Sequence, residues 1–270
     1  MDRKWEFKFS ECSENSEISE NSEFSINIID FTMTAEKDPM GRAIADYYAT
    51  GKAGRLRVFS PMFDEDEIPV ATLFRTRDDM PAIEREALDF ANGSILDVGA
   101  GAGCHALALQ AMEKQVTAID ISPLAVATMR DRGVKQVREQ DFFTLDGKFD
   151  TILMLMNGIG IVGTLSRLPA FFMQVDRLLA PGGQLLCDSS DICYIFEDEQ
   201  GIIDLTGIEG YYGELTYRMQ YKSVKGEPFP WLFIDPVTLQ EHAAAHGFNC
   251  DILVRGPHYD YLARLTRKNV

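Results

Sequence analysis

The chain has 270 residues, 46% apolar and 25% charged, an ordinary balance for a globular protein. Its formal net charge of -16 opposes phosphate backbones and anionic lipid, so neither nucleic acid nor a membrane surface is an expected partner. Five scattered cysteines with no CxxC pair, and no apolar run of the ~18 residues a spanning helix needs, argue against a disulfide framework, a zinc site and a membrane helix, and a cytoplasmic setting is expected.

Residues 10–25 repeat a Ser-Glu-X triplet, a period that suits neither a helix nor a strand. Residues 1–32 hold eight acidic and three basic side chains. They read as a disordered acidic leader, with Met33 as an alternative true start. The first ten residues alternate charges with aromatics and lack the apolar stretch of a secretory signal. Residues 33–92 read as an N-terminal helical cap. Its first helix spans 38–51, where Asp38 can cap, Pro39 suits the first position and Gly51 ends it. Residues 55–69 read as irregular, and 79–92 as a second helix with Ile83, Ala87, Leu88 and Ala91 on one stripe.

From residue 93 short apolar runs alternate with helical patterns. Strands are predicted at 94–98, 115–120, 135–139, 149–156 and 184–187, and helices at 103–114, 123–132 and 168–179. Near-continuous apolar strands between helices imply a parallel sheet covered on both faces. After Asp188 the rhythm breaks. A β insertion is predicted there, with strands at 213–222 and 231–234. A helix at 236–246, capped by Asp235, leads to two antiparallel strands at 248–254 and 259–265.

The most informative stretch is ILDVGAGAGCHA at 95–106. A strand runs into Gly99, Gly101 and Gly103 and then a helix, so the backbone can turn sharply and a ligand can approach it. Dinucleotide sites favour GxGxxG, but Cys104 stands where the last glycine would fall. Asp97, two residues before the first glycine, would repel a pyrophosphate. It suits a ligand with a cationic end, such as S-adenosylmethionine, which carries an ammonium and a sulfonium and no phosphate. A nicotinamide-dependent dehydrogenase is therefore the weaker reading.

DVGAGAG at 97–103, AIDIS at 118–122, EQDFF at 139–143, FDTILMLMN at 149–157 and LLAPGGQLL at 178–186 occur in order. Together they resemble the motifs of class I S-adenosylmethionine-dependent methyltransferases. The resemblance covers about a third of the chain. It implies an α/β fold, a seven-stranded Rossmann-like sheet of order 3-2-1-4-5-7-6 with strand 7 antiparallel, over a domain at 93–270. It also implies S-adenosyl-L-methionine as methyl donor and a small-molecule acceptor. A non-catalytic binder of that compound and a protein methyltransferase are the alternatives.

Position by position, the resemblance implies that Asp97, Gly99, Ala100, Gly101 and Gly103 hold the methionine end. Asp120 would accept both ribose hydroxyls, and Ile121 would pack on the adenine. Asp141 would accept from the adenine amino group, with Phe142 giving its backbone amide or its ring. Met156 and Asn157 would sit beside the transferred methyl group. Gly158 and Ile159 replace the two prolines that follow this position in some base methyltransferases, which argues against that acceptor class.

The sequence assigns no catalytic base and no subunit number. His258, Tyr259 and Tyr261 are candidates for a base, each with a loop or structural reading. Tyr47, Tyr48, Tyr211, Tyr212 and Trp231 could form an aromatic lid or the core of the added elements. His242 and His246 have helical metal spacing without a third ligand, and Asp188 and Asp191 lack an acidic partner on the preceding strand, so no metal is expected.

Overall fold

The computed structural model describes residues 33–198 and 200–268. The reading of 1–32 as a leader lies outside them. The first element is helix α1 (Pro39–Thr50). The Asp38 carboxylate accepts from the Gly41 amide at 2.6 Å, and Gly51 closes the helix in the left-handed region. A hairpin of β1 (Leu56–Ser60) and β2 (Phe63–Ile68) follows. Two 3-10 turns, Val70–Phe74 and Arg77–Asp79, then lead to α2 (Ala82–Phe90).

The alternating part runs β3 (Ser94–Val98), α3 (Cys104–Ala111), β4 (Gln115–Asp120), α4 (Pro123–Asp131), β5 (Val137–Glu139), β6 (Phe149–Met154), α5 (Leu168–Leu178) and β7 (Leu179–Ser190). Next come β8 (Glu214–Tyr221), β9 (Val224–Lys225) and β10 (Phe229–Leu232). The chain ends with α6 (Pro236–Ala245), β11 (Phe248–Arg255) and β12 (Asp260–Arg267).

The main sheet has seven strands in the order β5-β4-β3-β6-β7-β12-β11. Neighbours from β5 to β7 pair in parallel, and β12 is antiparallel to both β7 and β11. Numbered within the sheet by chain order, this is the expected 3-2-1-4-5-7-6. Both faces are buried. Ile95, Leu153, Leu186 and Leu262 pack under Ile83 and Leu88 of α2 and Leu109 of α3. Leu96, Ile152, Leu185 and Ala263 pack with Phe171 and Phe172 of α5 and Leu239 of α6. This double burial explains why the parallel strands read as continuous apolar runs rather than as alternation.

A second sheet, β10-β8-β1-β2 with β9 off β8, corrects the reading of the N-terminal segment. Residues 55–69 are a hairpin, not irregular chain. Its outer face carries Arg55 and Arg57, which pair across to Glu67 at 2.7 Å and to Glu65 at 2.6 Å. Its inner face buries Leu56 and Val58. Four consecutive acidic residues at 64–67 hid the period of two, because the hairpin has a half-polar pattern answered only across strands. Among the described residues no helix is long and apolar enough to cross a membrane. Cys104, Cys187, Cys193 and Cys250 are free thiols.

Candidate functional site

The loop from β3 to α3 sits at the carboxyl edge of the sheet, where parallel α/β sheets place ligands. Gly99, Gly101 and Gly103 have φ of +66°, +56° and +82°, a region L side chains rarely adopt. The glycines serve different ends. A Cβ on Gly103 would stand 2.9 Å from Val134 Cγ2, so that glycine lets α3 pack closely. A Cβ on Gly99 would meet no atom within 4 Å, so the same backbone shape there leaves open room. Ala100 is buried in the core between them, and its amide donates to the Ile119 carbonyl at 3.0 Å.

Asp97 is 1% exposed, and its Oδ2 has no hydrogen-bond partner among the described residues. Burial pushes its carboxyl up to about 6; Asp120 adds to the rise, while His105 and the Ala106 amide oppose it. A buried, unanswered carboxylate oxygen is costly, and it calls for a donor that the folded chain does not itself provide.

Asp120 ends β4 and reaches across to the glycine loop. Its Oδ2 accepts from the Gly101 amide at 2.8 Å and its Oδ1 from the Ser122 amide at 2.9 Å. Each oxygen keeps a further lone pair. Burial raises its carboxyl, and nearby Asp38 adds to the rise. Ser122, not Asp120, caps α4: its hydroxyl accepts from Ala125 at 2.9 Å and donates to Asp38 at 2.5 Å. That bond seats α1 beside the turn that carries Asp120.

Ile121 projects 37% exposed at the tip of β4. Asp141 caps a 3-10 turn, Phe142–Thr144, by accepting from Phe143 at 2.6 Å. The Phe142 ring is only 4% exposed and lies against Phe143 and Phe171, so its ring belongs to the core and only its main chain can serve a ligand. Met156 is 37% exposed, and both it and Asn157 have positive φ, +64° and +56°. The Asn157 side chain is committed elsewhere. Its Oδ1 accepts from Ser189 at 2.9 Å and its Nδ2 donates to the Leu232 carbonyl at 3.2 Å, stitching the end of β6 to β7 and β10.

Two features were not legible in the sequence. Arg75, Glu84 and His105 form a buried network beside Asp97: Arg75 Nε lies 3.2 Å and His105 Nε2 2.9 Å from Glu84 Oε2. Burial works to raise the Glu84 carboxyl, but His105 and Arg75 outweigh it and the net shift is downward. The three residues come from separate elements, so only tertiary structure joins them. The second feature is Asp188, whose Oδ2 accepts from the Met156 amide at 3.1 Å and Oδ1 from the Gly158 amide at 3.2 Å. Burial pushes its carboxyl up to about 7 and Glu84 adds to the rise, against the Gly158 amide and His105.

The aromatic candidates are largely occupied. Tyr47 packs against Phe74 with tilted rings whose centres are 4.6 Å apart, and Tyr48 donates to the Asp131 carbonyl at 3.0 Å. Tyr211 donates to Asp235 and Tyr212 to Asp191, both at 2.7 Å. Trp231 lies flat against Gly160, where a Cβ would overlap its indole at 2.2 Å. Tyr261 is buried and donates to the Ile234 carbonyl at 2.7 Å, while His258 is exposed in a turn. His246 stacks on Phe172 at 4.9 Å and bonds the His242 carbonyl at 2.7 Å. Among the described residues no group of three or more His, Cys, Asp or Glu side chains is placed to hold a metal.

The family model described as "Methyltransferase domain" matches residues 95–183. The chain is similar to a SAM-dependent methyltransferase from Bacteroides fragilis solved in complex with S-adenosyl-L-homocysteine. That likeness is 57% identical, covers 88% of this chain and 98% of the other, and has a TM-score of 0.83. The fold is shared with DhpI in its SAM-HEP complex, at 20% identity, 87% and 100% coverage and a TM-score of 0.55. It is shared as well with the sugar N-methyltransferase KedS8 from Streptoalloteichus sp. ATCC 53650, at 19% identity, 77% and 96% coverage and a TM-score of 0.50. No curated protein matches the chain.

Proposed function

The chain belongs to the S-adenosylmethionine-dependent methyltransferases, and on that premise we propose that it methylates a small molecule and holds the donor across Asp97, the glycine loop, Asp120 and Asp141. S-adenosyl-L-methionine is its methyl donor. When bound, that compound supplies a methyl carbon made electrophilic by a sulfonium.

The observation that carries the placement is the orphaned oxygen of Asp97 beside the open space at Gly99. A ligand ammonium would answer the first and a ligand body would fill the second. Asp120 would accept the two ribose hydroxyls on its remaining lone pairs. Ile121 would cover one face of the adenine, with Asp141 and the Phe142 main chain at its edge. Met156 and the Asn157 main chain would border the reactive end, and the Asn157 side chain would hold that border in place.

A small acceptor is supported by the net charge of -16, which disfavours nucleic acid. It is supported also by KedS8, a sugar N-methyltransferase of the same fold. The free thiols fit a reducing, cytoplasmic setting. Methyl transfer asks mainly for positioning and exclusion of water, and for a base only where the acceptor enters protonated.

Calorimetry with S-adenosylmethionine, S-adenosylhomocysteine and NAD tests the placement. The first two should bind and NAD should not. Asp120→Ala should weaken both at least tenfold, since two hydroxyls lose a charged acceptor. Unchanged affinity would reject the ribose role. Incubation with methyl-labelled donor and a metabolite extract should label a low-mass product; label on protein alone would favour a protein acceptor, and binding without any label a non-catalytic role.

A further inference from the structure

We propose that Asp188 faces the methyl-transfer position and selects an amine as the acceptor, taking up its proton. This rests on the donor placement above and names the acceptor class for the same site.

Consecutive strands of the sheet run β4, β3, β6, β7. Asp120 at the end of β4 and Asp188 near the end of β7 are thus three strand spacings apart, ~14 Å. Asp120 leans inward to clasp Gly101, and Asp188 leans inward from the other side to clasp Met156 and Gly158. The two carboxylates therefore bracket the glycine loop. With the nucleoside on Asp120, the reactive end of the donor points toward Asp188.

The strand alternation supports this. Ile95 and Leu186 lie on the face packed by α2 and α3. A period of two puts Asp97 and Asp188 on that face as well. Asp188 is one pleat nearer the carboxyl edge, because Asp97 is level with Leu153 and Leu153 with Leu186. Asp97 lies deep, suited to the ammonium, while Asp188 is only partly buried.

Among the described residues Asp188 has no ion-pair partner. The groups that act on it are Glu84 of α2, which repels, and His105 of α3, which attracts but is already engaged by Glu84. Two backbone amides fix its orientation without cancelling its charge. Such a carboxylate attracts a cation, and the acidic chain as a whole does so at longer range.

An acceptor ammonium gives one proton to the Asp188 carboxylate. The freed nitrogen lone pair forms the N–C bond to the methyl carbon. The C–S bond breaks with its electron pair left on sulfur, so the sulfonium becomes a neutral thioether. The methylated ammonium leaves and Asp188 returns its proton to water.

The test compares sinefungin, which carries a primary amine where the donor carries its S-methyl group, with S-adenosylhomocysteine, which carries nothing there. The full chain should bind sinefungin at least tenfold more tightly. Asp188→Asn, which keeps one acceptor for the two turn amides, should remove that preference and leave S-adenosylhomocysteine within about threefold. Asp97→Asn should weaken both ligands together. Equal sinefungin preference in wild type and Asp188→Asn would overturn the proposal while sparing the donor placement; failure of either ligand to bind wild type would overturn both. In the extract experiment the label should be retained on a cation exchanger as a basic N-methyl product. Label confined to neutral or acidic products, or absent, overturns the amine assignment.

Discussion

Asp97, where we propose the donor ammonium sits, would set function against stability within one side chain. Its carboxyl is raised from 3.8 to about 6, chiefly by burial. A raised acid binds its proton more tightly in the folded state than in the unfolded one. Its stabilising contribution is therefore complete below the unfolded value and is lost as pH rises through about 6. At neutral pH the donor-free protein carries a buried charge that the donor ammonium would relieve. Asp97→Asn should accordingly melt higher than wild type at pH 7.5 without ligand, by up to ~3 kcal/mol in stability, and the gap should close near pH 4. The same variant should bind donor at least tenfold more weakly, since a charged hydrogen bond of roughly 2 kcal/mol is lost. Thermal melts across pH, run beside calorimetry, check both. A variant that melts like wild type at pH 7.5 would show that this charge is not costly, and the orphaned oxygen would lose its meaning.

Among the elements, the β3–α3 loop separates two uses of glycine that look alike in sequence. At Gly103 the positive φ comes with a Cβ that would press on Val134 and on Met129 Cγ at 3.0 Å. Gly103→Ala should therefore destabilise by roughly 1–3 kcal/mol in urea titrations. At Gly99 nothing is near, so Gly99→Ala should cost only about 1 kcal/mol of backbone strain yet impair donor binding more than Gly103→Ala does. If the two variants lose binding in proportion to stability alone, the open space at Gly99 is not ligand space.

The same loop shows how much the sequence reveals. Strands β3 and β4 and the caps of α1 and α6 were legible because each is decided locally, by an apolar run or by an Asp-Pro start. That Asp120 and the glycines would meet at one strand-to-helix turn was legible because the strand, turn and helix order fixes it. Hairpin β1–β2 was not, since the partners of its charges lie on the other strand. For Phe142 and Asn157, whether a ring points into the core or an amide is bonded away depends on α5 and β10, which no local pattern reports.

For the whole molecule, the second sheet links distant chain segments to the turn that carries Asp120. Strand β1 precedes the main sheet and β8 follows most of it, yet they pair from Leu56↔Tyr221 to Phe59↔Arg218. Tyr221 is fully buried at that seam. It accepts from the Gly54 amide at 3.1 Å and donates to Asp46 of α1 at 3.0 Å, and Lys222 reaches the same carboxylate at 2.6 Å. Helix α1 is thus tied at one end to β8 and at the other, through Asp38 and Ser122, to the turn that orients Asp120. Contacts to Asp120 should steady Ser122 first, then α1, then β8. Amide hydrogen exchange with and without S-adenosylhomocysteine should show slowed exchange in the glycine loop, across α1 and along β8, with β11 and β12 little changed. Tyr221→Phe keeps the ring but removes the hydroxyl, and should cut the protection of β8 while that of the glycine loop persists. Protection confined to the glycine loop in wild type would mean that the second sheet is only a neighbour of the site.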